Sequence, residues 1–72
     1  MLSNLKAEMA RSSVSVGDVA MAVGKSHRTI SDRIRGKVTF PIDEAIAVRN
    51  MFFPGMDLEY LFDWTADKKD SA

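Results

Sequence analysis

Apolar residues return at three- and four-residue steps along this chain, and nowhere do they alternate with polar ones. Steps of that size gather side chains on one flank of a 3.6-residue repeat, whereas a half-buried strand needs a two-residue repeat. The pattern predicts an all-α fold, with serine, glycine and proline marking where one helix stops and the next begins. Five segments follow from that punctuation. Ser3 is the expected N-cap of a first helix running to about Arg11, with Leu2, Leu5 and Met9 inward, and Ser12-Ser13 ends it. Ser15 caps a short second helix whose inner face is Val16, Val19, Ala20 and Val23, and Gly24 supplies its left-handed end. Ser26 caps a third helix over residues 27–35, anchored by Ile30 and Ile34 and stopped by Gly36.

Beyond the link Lys37–Phe40, Pro41 opens a fourth helix with Asp43 and Glu44 in its first turn. Its apolar residues, Ile42, Ala45, Ile46, Val48, Phe52 and Phe53, span most of the circumference, which predicts a central place in the packing. Arg49 falls inside that arc and is expected to lay its stem on the core and pair its guanidinium with a carboxylate. Pro54-Gly55 forces a turn, and Asp57 caps a last helix with Leu58, Leu61 and Phe62 inward. Residues 1–64 make one domain on this reading, and 65–72 a polar, flexible tail.

Size and composition remove several classes of function. A chain of 72 residues buries only roughly 60% of its unfolded surface, so its stability margin is thin. Without cysteine it has neither disulfide staples nor thiolate metal sites, and its core forms unaided or with help from self-association. No apolar run reaches the ~20 residues of a membrane span, and Met1 leads into no signal-peptide core. A cytoplasmic protein with no membrane partner is expected. The net charge is zero, but its distribution is uneven. Residues 1–37 carry seven Lys/Arg against three Asp/Glu, and residues 38–72 carry three against seven. The positive half is the place to look for a polyanion-facing surface.

The stretch Ser15–Gly36 concentrates that signal. Only Gly24, Lys25 and Ser26 separate its two helices, too few for them to run antiparallel, so they meet at a steep angle. Ala20 is small enough to let them approach closely. On the third helix Ile30 and Ile34 point one way, while His27, Arg28, Ser31, Asp32 and Arg35 occupy much of the other side. Residues 25–37 hold five Lys/Arg, namely Lys25, Arg28, Arg33, Arg35 and Lys37, against the single Asp32. The free N–H groups behind the Ser26 cap add a place for a phosphate.

With Val19-Ala20, Val23-Gly24, Ser26, Thr29-Ile30-Ser31 and Gly36-Lys37 in place, Ser15–Gly36 resembles the helix-turn-helix of the phage Cro/repressor group, the lambda repressor-like or XRE family. Thr39-Phe40, Asp43-Glu44-Ala45, Arg49 and Phe52-Phe53 resemble the fourth helix of small phage-encoded members, so the likeness spans roughly residues 3–62. It implies a five-helix lambda repressor-like DNA-binding domain and a transcriptional regulator that binds double-stranded operator DNA as a homodimer, without catalysis, cofactor or small-molecule ligand. It also implies that His27 and Arg28 read bases from the first turn of the third helix, and Ser31 and Asp32 one turn later. Phosphate contacts are expected from Lys25, Ser26, Arg33, Arg35 and Lys37 as an ensemble. The chain departs from the family at Val16, where many members carry a glutamine that holds a phosphate. The anchoring falls to those cations or to backbone amides.

Plainer readings stand beside these. Arg28 either forks onto guanine O6 and N7 or pairs with Asp32 at i+4 as an ordinary surface couple. His27 has no second histidine for a metal, so it is a contact residue or an idle one. Gly24-Lys25-Ser26 imitates the end of a phosphate-binding loop, but Val19 stands where that motif needs glycine, and ATP binding is excluded. Ser26 beside His27 has no oriented base and no oxyanion pocket. Tyr60 and Trp64, four apart and opposite Leu58 and Leu61, are the expected dimer contact, with packing on the domain's own core as the alternative. A protein-interaction module on the same fold, antirepressor- or antitoxin-like, is the competing function.

Overall fold

The structure is a computed structural model that describes residues 1–63, so Trp64 and the tail over residues 65–72 lie outside the described residues. Five helices follow one another and no strand forms among the described residues: α1 Ser3–Arg11, α2 Val16–Val23, α3 His27–Arg35, α4 Ile42–Phe52 and α5 Leu58–Leu61. The order and bounds agree with the periodicity. No helix among the described residues is long and apolar enough to cross a membrane.

Local chemistry sets most of the helix ends. Ser15 accepts from the Asp18 amide at 3.0 Å, and the Asp18 carboxylate accepts from the Ser15 amide at 2.9 Å, a reciprocal capping box. Ser26 accepts from the Thr29 amide at 3.1 Å and donates its hydroxyl to Thr29 Oγ1 at 2.9 Å. Gly24 (φ 71°) and Gly36 (φ 87°) take the left-handed conformation that closes α2 and α3. The next amides, of Lys25 and Lys37, donate back to the carbonyls of Ala20 and Asp32, each at 3.0 Å.

α1 begins differently from expectation. Ser3 is its first helical residue and Leu2 its N-cap, with no side-chain cap. The cause is tertiary: Leu2 is buried, and its amide donates to the Ile34 carbonyl at 2.7 Å, pinning the start of α1 across the end of α3. Between α1 and α2, Ser13 takes a positive φ of 57°, and the Val14 amide donates to the Met9 carbonyl.

The core gathers Leu2, Leu5 and Met9 of the first segment, Val19 and Ala20 of α2, Ile30 and Ile34 of α3, Val48 of α4, and Phe53 and Leu61. α2 lies against α3 and α4, and α5 against α1 and α4. α4 corrects the expectation of a helix buried all round. Only Ala45 and Val48 are buried within it, while Ile42 is 65% and Ile46 39% exposed and Met51 also faces solvent. Its neighbours cover one side, and the apolar arc is wider than they can bury.

Arg49 corrects a second expectation. Its Nη1 donates to the Met56 carbonyl at 3.4 Å across the turn at Gly55 (φ 83°), and it pairs with no carboxylate among the described residues. The loop carbonyl comes within reach because the chain doubles back over α4 to start α5.

Candidate nucleic-acid interface

α3 is held at both ends and along one side. Ser26 and Gly36 fix its termini, and Ile30 and Ile34 are buried in the core. Ala20 is buried on α2, and α2 packs directly on α3 and on α4. Gly36 serves closeness as well as conformation: a Cβ there would lie 3.1 Å from the Met1 nitrogen. A helix braced in this way presents its outer side chains at fixed positions.

Those outer side chains divide into three groups. His27, Arg28 and Arg35 on α3, with Lys25, Ser26 and Lys37 at its ends, are exposed. Ser31 and Asp32 are half-buried. No ion pair joins Arg28 to Asp32, so the guanidinium that leads the helix is not tied down by its i+4 neighbour.

Arg33 belongs to neither group. Its side chain is 13% exposed, Nη1 is paired to Glu44 Oε1 on α4, and the guanidinium lies 5.9 Å above the Phe40 ring. Its Nε is buried with no hydrogen-bond partner. The expected phosphate contact from Arg33 therefore gives way to a contact between α3 and α4. The wheel position of Arg33, on the flank between core and solvent, was the signal for this. Glu44, an acid in the first turn of α4, also lies 4.0 Å from the Lys25 ammonium and so tempers two of the five cations.

A shallow cleft of about 230 Å³ opens beside α3, lined among others by Ser31, Arg35, Val16 and Lys6. Lys6 of α1 thus joins the start of α2 and the outer face of α3, a cation that the motif-centred reading missed because it lies outside residues 25–37. A second cleft of about 340 Å³, with Leu2, Arg33, Phe40 and Phe62 among its walls, opens past the C-terminal end of α3. Phe40 and Phe62 meet there edge to face with centroids 5.0 Å apart.

Where α5 meets α1, the Tyr60 hydroxyl donates to Glu8 Oε2 at 2.9 Å, and Arg11 pairs with the same oxygen at 3.2 Å. The hydrogen bond to Glu8, with its negative charge, holds the Tyr60 hydroxyl above its ordinary pKa of 10.0. Tyr60 keeps 40% of its surface exposed, and its backbone carbonyl accepts from Asn4 Nδ2 at 2.9 Å. Its expected partner in a dimer contact, Trp64, lies outside the described residues. Among the described residues, no three His, Asp or Glu side chains converge as metal ligands.

Comparison with protein-family models, with curated proteins and with solved structures finds no match for this chain.

Proposed function

We propose that this chain is a sequence-specific DNA-binding transcriptional regulator of the lambda repressor-like type, acting in the cytoplasm as a homodimer on operator DNA. The observation that carries the reading is α3 itself: capped at both ends, clamped by Ile30 and Ile34, and presenting an untethered Arg28 among exposed cations. In the mechanism α3 enters the major groove. Arg28 takes guanine O6 and N7 with two parallel hydrogen bonds, His27 and Ser31 contact neighbouring base edges, and Asp32 accepts from cytosine N4. Lys25, Arg35, Lys37 and Lys6 face phosphates, with the amides behind Ser26 as a further anion site. Binding alone does the work, by occluding or recruiting polymerase, and no step is catalytic.

The competing reading, a protein-interaction module that has lost DNA binding, draws support from Glu44 beside Lys25 and Arg33 and from the exposed Ile42 and Ile46. A mobility shift with the DNA flanking the gene, at two salt concentrations, separates the two. Arg28→Ala is expected to lose about 1–3 kcal/mol on the operator and to relax preference at one base pair. Lys37→Ala is expected to weaken all sequences alike and to lower the salt slope by about one unit. Binding by both variants equal to the parent's would exclude α3 as the reading helix.

A further inference from the structure

We infer that the cleft past the C-terminal end of α3 is a binding site for a small aromatic carboxylate, and that its occupant regulates DNA affinity. The site stands on geometry and charge; its regulatory role rests on the DNA reading above.

The cleft has the size and lining of a small-molecule site. Its volume of about 340 Å³ lies within the range of ligand pockets, roughly 300–1,000 Å³. An apolar cavity of about 150 Å³ already takes a benzene, so one or two fused rings fit here. Leu2, Val38, Phe40 and Phe62 supply apolar walls. Phe40 and Phe62 are half-buried, and their edge-to-face contact leaves ring surface on the cleft for a third ring to meet. Thr39 adds an exposed hydroxyl that donates or accepts.

Arg33 decides what the ring must carry. Among the described residues lining the cleft, it alone has a charged side chain. That side chain is 13% exposed, and its Nε is buried without a hydrogen-bond partner. A buried donor of this kind costs free energy until an acceptor reaches it. Glu44, the acid paired with Arg33, also lies 4.0 Å from Lys25. One carboxylate thus serves two cations, and the three side chains together carry one positive charge in excess. A carboxylate entering beside Arg33 supplies the missing charge, and its two oxygens match the guanidinium fork. A neutral aromatic fills the walls and leaves the charge unanswered. An inorganic anion answers the charge and leaves the walls wet.

Occupancy reaches the DNA face through Glu44. With the guanidinium shared by the ligand, Glu44 is drawn toward Lys25, a cation that the DNA reading assigns to phosphate. The ligand also brings a negative charge to α3 itself. Both effects weaken DNA binding, and by reciprocity DNA weakens the ligand to the same degree.

The probe is 2-naphthoate, two fused rings with one carboxylate, and its neutral counterpart is 2-naphthalenemethanol. Titrated into the parent without DNA, 2-naphthoate should shift the amides of residues 33–40 and of Phe62. Its dissociation constant should be about 1 mM or tighter, and at least about ten-fold below that of the alcohol. Arg33→Gln should erase the preference for the acid over the alcohol. Val38, 52% exposed, gives a pair of variants that keep the fold if Arg33→Gln does not. Val38→Asp should weaken the naphthoate about five-fold and Val38→Lys tighten it, with the alcohol nearly unmoved by either. Equal binding of acid and alcohol, shifts away from the cleft, or indifference to both Val38 charges would overturn the site. Saturating naphthoate should lower the parent's affinity for the DNA flanking the gene at least about five-fold, and the alcohol should not. Cleft binding with unchanged DNA affinity overturns the regulatory role. A parent that takes naphthoate here but binds no DNA keeps the site and sinks the DNA reading. DNA binding without any naphthoate response does the reverse.

Discussion

The α2–α3 pair and the α4–α5 pair have similar sizes, 17 and 15 helical residues, yet they are held by different means. In α2–α3 every end has its own device: a capping box at Ser15, a doubly engaged Ser26, and left-handed glycines at 24 and 36. In α4–α5 the ends lean on packing. Pro41 caps α4 without a side chain, Phe53 closes it from the core, and α5 is a single turn whose Asp57 accepts from the Glu59 amide at 3.3 Å. The first pair keeps its shape from within and can present side chains to a partner. The second depends on the domain around it and leaves an apolar face uncovered.

The largest test of that contrast compares two isoleucines. Ile30 is 0% exposed in the first pair and Ile42 is 65% exposed in the second. Ile30→Ala is expected to cost roughly 2–5 kcal/mol in urea unfolding. Ile42→Ala is expected to stay within about 0.5 kcal/mol of the parent. Equal losses would mean that α4 is packed on both sides in solution.

Next comes the joint between the two pairs. Glu44→Gln leaves Arg33, 13% exposed and already carrying a buried unpartnered Nε, without its counter-charge. A loss of about 2 kcal/mol is expected, in the range for hydrogen bonds to charged groups. The same change frees Lys25 from an acid 4.0 Å away, so affinity for DNA of any sequence should rise while stability falls. If both quantities move the same way, Glu44 does not temper the cationic face.

The caps give a smaller difference. Ser26→Ala should destabilise by about 1 kcal/mol and Asp57→Ala by about half that, because Ser26 makes two hydrogen bonds with Thr29 and Asp57 a single long one. Equal effects by thermal melting would remove the distinction between self-defined and packing-defined ends.

The same distinction explains what could be read in advance. Five helices, their order and nearly all their bounds were legible because Ser15, Ser26, Gly24 and Gly36 act on residues within five positions of themselves. The exposed Ile42 and Ile46 were not legible, since an apolar wheel states what a helix can bury and not how many neighbours arrive to bury it. Leu2 replaced Ser3 as the cap of α1 through a bond to Ile34, which no local pattern announces. Of the candidate site, the exposure of His27, Arg28 and Arg35 was readable from the wheel of α3. The capture of Arg33 by Glu44 was not, because the two sit on different helices whose crossing decides which cation the acid meets.

The smallest expected effect lies at Tyr60, where α5 meets α1. The neutral phenol donates to Glu8, and that bond, reinforced by the carboxylate's charge and only partly offset by Arg11, raises the hydroxyl above 10.0. A group raised on folding contributes its stability in full below its unfolded pKa and loses it as the pH climbs through the folded value. The contact should therefore hold undiminished at neutral pH and weaken only in alkali, above pH 10.0. Tyr60 is the sole tyrosine, so its phenolate absorbance titrates free of overlap from any other. The midpoint should lie above 10.0 in the parent and return toward it in Glu8→Gln, which keeps the shape but removes the charge. A parent midpoint at or below the ordinary value would show that the Tyr60–Glu8 bond does not persist in solution. α5 would then be tied to α1 by Leu61 packing and the Asn4 amide alone.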